Sequence, residues 1–346
     1  VDFCGAERGA PSGDIIANLP LEGGAIATKL IAIDMDGTLL GSDGRVSERN
    51  RRAMREAELA GIEIVVATGR RHCYAMKVLR ELELNPESAL VSSNGTVVRT
   101  IGARLLERTE MPVETARRLC VHMKDFSDTL VLTFDRVGPD GQDTLGALAV
   151  EDFAKLEAMI ERWVKVNEPY IAEVKPLDAA LEDGPPIQMM VCGPIARMRA
   201  AEARLLELPH VTPVGAAVEE GAEVTLHRTE YAANDLCILD ILPAGCSKAD
   251  ALARLAERSG LRMDQVMAIG DNWNDVPMLR EAGRAVVMAN APEDVKAMAR
   301  VLGWTMGLSN DDDGVAVAIE QVILEDRKAG SAETSAGAIE TGAMVV

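Results

Sequence analysis

Aromatic residues are scarce: 3 Trp, 3 Tyr and 4 Phe in 346 residues. So few offer no platform on which nucleic-acid bases could stack. Histidine is scarcer still, at four. The six cysteines, at positions 4, 73, 120, 192, 237 and 246, form no CxxC pair. That spacing argues against both a Cys/His zinc site and a disulfide framework. Cys192 and Cys237 lie in apolar segments and read as reduced core residues of a cytoplasmic protein. No apolar run reaches the roughly 18 residues of a membrane span, so no membrane partner is expected. Basic residues are outnumbered 36 to 55, for a net charge of −19. With no basic block to offset it, that charge repels nucleic acid. The first ~25 residues lack the basic start and apolar core of a signal peptide.

What is present is ordinary globular material, 48% apolar and 26% charged. At about 150 residues per domain, the length suggests two domains. Residues 1–25 read as a flexible leader, and ordered chain is expected from Lys29. "KLIAIDMDGTLL" is an apolar run that stops abruptly at acids and glycine, the pattern of a strand buried on both faces. Ser47 as N-cap and Gly61 as stop bound a helix over Glu48–Ala60. "GIEIVVATGR" is a second buried strand, "HCYAMKVLREL" a helix and "ALVSSNG" a third strand. This β-α-β-α-β order predicts a parallel sheet with right-handed crossovers. The same texture returns at "SKADALARLAERSG" (helix), "QVMAIGDNWND" (strand), "RAVVMANA" (strand) and three further helices. Between them, residues 110–242 mix strands with a few helices. The expected architecture is a doubly wound α/β core, 26–109 and 243–328, interrupted by an α+β insert, 110–242. Residues 329–346, rich in Ala, Gly, Ser, Thr and Glu, read as a flexible tail.

In open parallel sheets, ligands bind beyond the carboxyl ends of the strands. Here those ends carry Asp34-Met35-Asp36-Gly37-Thr38, Thr68-Gly69-Arg70, Ser93-Asn94-Gly95 and Gly270-Asp271-Asn272-Trp273-Asn274-Asp275. Lys248 opens the helix that follows the insert. Each admits a plain reading alone: a surface D-x-D, a Thr N-cap, a turn, acids capping a helix, a solvated lysine. Arg70 fits either a substrate contact or a structural ion pair. Together they carry more. Asp34, Asp36, Asp271 and Asp275 on one sheet edge repel one another and call for a cation. An oxygen-only ligand set with room for phosphate favours Mg²⁺. Lys248, Arg70 and the Thr68 hydroxyl supply donors for phosphate oxygens. The set describes a phosphoryl-transfer site.

These residues resemble the haloacid dehalogenase superfamily and, within it, the Cof-like, type IIB sugar-phosphatase group. The resemblance spans residues 29–328 and rests on "DMDGT" (34–38), "ATGR" (67–70), Lys248 in "GCSKADAL" and "GDNWND" (270–275), with "SSNG" and "ANAPEDVK" in support. It implies a Rossmann-like core with a type C2B cap and a Mg²⁺-dependent phosphatase acting on a small phosphorylated metabolite. By the same resemblance, Asp34 is the nucleophile and Asp36 the acid and base. Mg²⁺ is held by Asp34, the backbone carbonyl of Asp36, and Asp271. The phosphoryl group is bound by Asp34, Thr68, Gly69, Lys248 and Asn274. Asp275, Arg70 and Asn94 support these groups from behind. A phosphosugar mutase of the same fold is the alternative, and a non-catalytic phosphate-ligand-binding protein the reading of another class. Oligomeric state is not legible in the chain.

Overall fold

The computed structural model describes residues 26–138, 142–231 and 234–341. The leader at 1–25, the tip of the Gly/Pro/Asp turn at 139–141 and the last residues from 342 lie outside the described residues.

The first segment runs β1 (Leu30–Asp34), α1 (Glu48–Leu59), β2 (Glu63–Ala67), α2 (His72–Leu79), β3 (Ala89–Ser92), β4 (Val97–Thr100) and β5 (Leu105–Arg108). The second comprises α3 (Val113–His122), β6 (Leu130–Thr133), β7 (Leu148–Val150), α4 (Phe153–Asn167), β8 (Ile171–Glu173), β9 (Gln188–Gly193), α5 (Ile195–Leu205), β10 (Val211–Thr212), β11 (Val224–Tyr231) and β12 (Leu236–Pro243). The chain then adds α6 (Lys248–Arg258), β13 (Val266–Gly270), α7 (Val276–Glu281), β14 (Arg284–Val287), α8 (Glu293–Leu302), β15 (Thr305–Met306) and α9 (Gly314–Thr341).

Strands of the first and third segments form one eight-stranded sheet, ordered β15-β14-β13-β1-β2-β3-β4-β5. The five central strands, β14 to β3, are parallel, as their crossover helices require. Every residue of β1 is buried. Its alternation feeds two cores: Ile31 and Ile33 pack with Met54 and Val315 on one face, and Leu30 and Ala32 with Leu252 and Met278 on the other. Each such aliphatic side chain contributes about 1.5–3 kcal/mol through burial.

The middle segment forms a separate seven-stranded sheet, ordered β10-β11-β12-β9-β6-β7-β8. One face is covered by α3 and α5. The other is covered in part by α4, through Leu156, Ile160 and Val164. The architecture is the expected doubly wound α/β core with an inserted α+β unit.

Helix α1 begins where Ser47 accepts a hydrogen bond from the Asn50 N–H at 3.1 Å. It ends at Leu59, followed by Gly61 at φ +78°. Helix α9 runs to Thr341. Among the described residues, no helix is long and apolar enough to cross a membrane.

Candidate active site

The register sets the site. Ile33 pairs with Val66 on one side and Ile269 on the other, so β1, β2 and β13 end level. Asp34, Thr68 and Asp271 therefore emerge side by side at the carboxyl edge. Ser247 caps α6 by accepting from the Asp250 N–H at 3.1 Å, which places Lys248 in the first turn, beneath the same edge.

Lys248 is wholly buried. Its Nζ donates to Asp34 Oδ1 at 2.5 Å and to Asp275 Oδ1 at 2.6 Å. The other Asp275 oxygen accepts from the backbone N–H groups of Asp271 (2.9 Å) and Asn272 (3.0 Å). Asp275 thus ties the 270–275 loop to the lysine. The Thr38 hydroxyl donates to Asp271 Oδ1 at 3.1 Å. Gly37 lies at φ +81°, and a Cβ there would sit 2.5 Å from Asp271 Oδ2, so this turn needs glycine on both counts.

Ligand oxygens of Asp34, Asp271 and Asp275 lie within 4.8 Å of one another, all on buried residues. Burial, then repulsion from Asp275, raises the Asp34 carboxyl above the carboxylate range, against the pull of Lys248. Burial, then Asp34, raises Asp271 well above it. Burial opposes the Lys248 charge, but Asp275 and Asp34 outweigh it and hold the ammonium above its ordinary value. Three carboxyl groups face one ammonium, so ionising them all leaves negative charge in excess. A divalent, oxygen-loving cation fits that imbalance.

Asp36 stands apart from this trio. Both its oxygens accept from Arg70, at 2.8 Å from Nε and 2.5 Å from a terminal nitrogen. The Arg70 guanidinium also lies 4.5 Å above the Tyr74 ring. Arg70 therefore takes the ion-pair option. Thr68 Oγ1 accepts from the Arg70 N–H at 3.0 Å, leaving the hydroxyl proton for another acceptor. A Cβ on Gly69 would meet Asn94 Oδ1 at 3.1 Å. Asn274 donates to Asn94 at 3.1 Å, and Asn94 donates to Asp240 of β12 at 2.9 Å. Every residue singled out from the sequence is thus at or beside one edge.

Above that edge, a cavity of about 850 Å³ separates it from the second sheet. It is lined by Asp34, Asp36, Gly69, Arg70, Asn94 and Asn274 below, and by Gln188, Met190 and Asp240 above. Three participants went unnoticed in the sequence. Arg71 reaches across to Asp143 and Asn167 of the second segment. Its only sequence signal is adjacency to Arg70, which a solvated arginine shares. Gln188 and Asp240 are single polar residues inside apolar strands. Burial pushes the Asp240 carboxyl up to about 7, against the Asn94 hydrogen bond and the Lys248 charge.

The family model of haloacid dehalogenase-like hydrolases matches residues 31–319. The chain belongs to the haloacid dehalogenase-like hydrolases. That membership agrees with what the motifs implied. It is 27% identical over 309 residues to the 5-amino-6-(5-phospho-D-ribitylamino)uracil phosphatase YwtE of Bacillus subtilis, covering 85% of this chain and 98% of that protein. It is also 27% identical over 297 residues to the chloroplastic endoribonuclease YBEY of Arabidopsis thaliana, where it covers 84% of this chain but spans only 45% of the relative. A haloacid dehalogenase-like hydrolase from Bacteroides thetaiotaomicron shares the fold at TM-score 0.64 and 26% identity, over 85% of this chain and 99% of that one.

Proposed function

We propose that this hydrolase is a Mg²⁺-dependent phosphatase that cleaves a small phosphomonoester through an aspartyl-phosphate on Asp34. The observation that carries this reading is the buried Asp34–Lys248–Asp275 array beside Asp271, with Asp34 lining the cavity.

The chemistry divides into two displacements. Asp34 is bonded to Lys248 through one oxygen, which leaves the other to attack phosphorus. The phosphorus–oxygen bond to the alcohol breaks, and Asp36 donates the proton that the departing oxygen needs. Asp36 then takes a proton from the water that attacks the acyl phosphate, releasing inorganic phosphate and restoring Asp34. Both Asp36 oxygens accept from Arg70, which holds the carboxyl in place. Lys248, the Thr68 hydroxyl, Asn274 and the Gly69 backbone are our candidates for holding the phosphoryl oxygens. Asp34, Asp271 and the backbone carbonyl of Asp36 would hold Mg²⁺, which offsets the repulsion between the carboxylate and the phosphate. Asp275, Arg70 and Asn94 orient these groups.

The second sheet, carried by residues 110–242, is read as the cap that shelters the reaction from bulk water. The YwtE relative is named for a phosphorylated ribityl compound. A phosphorylated sugar or cofactor of that general size suits this chain, with no nucleic acid or membrane partner. Cys120, Cys192, Cys237 and Cys246 form no disulfide among the described residues, which supports a cytoplasmic location.

The test is phosphate release from sugar phosphates, phosphorylated cofactors and an aryl phosphate, with and without Mg²⁺, beside Asp34→Asn. Mg²⁺-dependent release that disappears in the variant is expected. Full release by the variant contradicts the nucleophile. Activity only after addition of a bisphosphorylated activator would turn the reading to a mutase.

A further inference from the structure

The roof of the cavity holds two buried polar side chains that the phosphoryl chemistry does not use. Gln188 and Met190 alternate along β9 and so share one face of the second sheet. Asp240 of β12 pairs with Met190. Gln188 and Asp240 are therefore diagonal neighbours on adjacent strands, with Cα atoms about 7–8 Å apart. Both line the cavity, among Leu148, Met190 and Ile238. Both are more than nine-tenths buried, at 5% and 6% exposed.

The hydrogen bonding of Gln188 is incomplete. Gln188 Oε1 is buried with no partner among the described residues. A bare amide oxygen inside a fold is costly and calls for an explanation. Asn94 is the side-chain donor seen on Asp240 among the described residues. The cations nearby are no substitute. Of the three arginines lining the cavity, Arg70 is taken by Asp36 and Arg71 by Asp143 and Asn167, while Arg162 is exposed. The roof thus offers acceptors, an amide and apolar surface, but no free buried cation.

The geometry points to Gln188 and Asp240 as the specificity-determining pair that grips the alcohol portion of the substrate. That portion is a neutral group with at least two O–H or N–H donors, such as a short polyol or a hydroxylated ring. A second phosphate or carboxylate at that end meets Asp240 and is disfavoured. This assignment rests on the phosphatase reading of the site below.

The experiment uses the full chain. Gln188→Leu keeps the side-chain bulk and removes the amide. Asp240→Asn keeps an oxygen for Asn94 and replaces the other oxygen with a donor. Each is assayed with glucitol 6-phosphate, ribose 5-phosphate and pyridoxine 5′-phosphate, and with p-nitrophenyl phosphate, whose leaving group has no hydroxyls to spare once esterified. For the best of the hydroxylated esters, KM rises about tenfold or more in each variant, the effect of one lost hydrogen bond. Values of kcat, and all constants for the aryl ester, stay within about twofold. A parallel loss on both ester types would mean a packing role, and no change would mean no contact; either overturns the assignment. Calorimetric titration of the same hydroxylated esters into Asp34→Asn, with and without Gln188→Leu, separates this from the reaction. If the unmodified protein hydrolyses no ester but binding weakens about tenfold with Gln188→Leu, the phosphatase reading falls and the recognition stands. Binding that is absent, or unmoved by Gln188→Leu, overturns the recognition.

Discussion

In the first sheet the charged groups of the site gather at the carboxyl ends of the strands, and in the second the polar groups sit along the strands. Asp34 ends β1, Asp271 and Asp275 lie in the loop after β13, and Lys248 opens α6, where parallel strands β1, β2 and β13 finish level. Asp240 instead interrupts apolar β12, Gln188 opens apolar β9 and His227 lies in the mixed strand β11, and their neighbours are set by register: His227 faces Asp240, and Gln188 faces Thr133. The first arrangement concentrates like charge and balances it with one lysine. The second spreads its polar groups along the strands, and burial drives the two titratable ones toward their neutral forms. Asp240 is raised to about 7, and His227 is lowered to about 4 by burial and then by Lys248. The first suits chemistry on an anion, the second recognition of a neutral group.

This contrast can be broken at several points. The largest effect is expected at the first sheet's edge. Asp34→Asn should lower turnover by at least about 10⁴-fold, the scale of removing a nucleophile. Circular dichroism should be unchanged, because the amide fills the same space. A loss of fold alongside activity would leave the contrast unproved, and retained activity would end it.

Lys248→Met comes next. It removes the only ammonium between Asp34 and Asp275 and leaves buried carboxylates without compensation. Denaturant unfolding at pH 8 should show a stability loss of about 3–5 kcal/mol. A near-neutral result would mean that the acids are already protonated at that pH.

Asp271→Asn should change sign with metal. Without divalent ions it relieves the repulsion from Asp34 and should raise Tm by a few degrees. With millimolar Mg²⁺ the unmodified protein should gain stability through binding and the variant much less, reversing the order. The same order in both conditions would remove the ion from the account.

The smallest effect belongs to the second sheet. The Asp240 carboxyl titrates near 7 in the fold, against about 3.9 unfolded. Between those values the folded state keeps a proton that the unfolded state has lost, so stability falls as pH rises. Asp240→Asn lacks that term. Its Tm relative to the unmodified protein should therefore increase from pH 5 to pH 8. A constant difference would mean that the Asp240 carboxyl is not raised in the fold.

The same contrast decides what could be read in the residues. Buried parallel strands announce themselves as apolar runs, and their abrupt polar ends mark the edge where ligands gather. Asp34, Thr68 and Asp271 were legible for that reason, and Lys248 because Ser247 marks a helix start. The partner of Arg70 was not legible, since it depends on how two loops approach each other. Gln188 and Asp240 were invisible for a different cause. β9 lies between β12 and β6, strands far apart in the chain, so no local pattern reveals which polar residues come together. Arg71 bridges two segments and fails by the same logic.

The central claim is that Asp34 becomes phosphorylated. It is tested most directly by mixing the protein with Mg²⁺ and its best ester, quenching in acid within the first turnover, and mapping the digest by mass spectrometry. The account predicts a phosphoryl adduct on the peptide that contains Asp34, absent from Asp34→Asn. Turnover with no adduct on that peptide, and undiminished in Asp34→Asn, would contradict it.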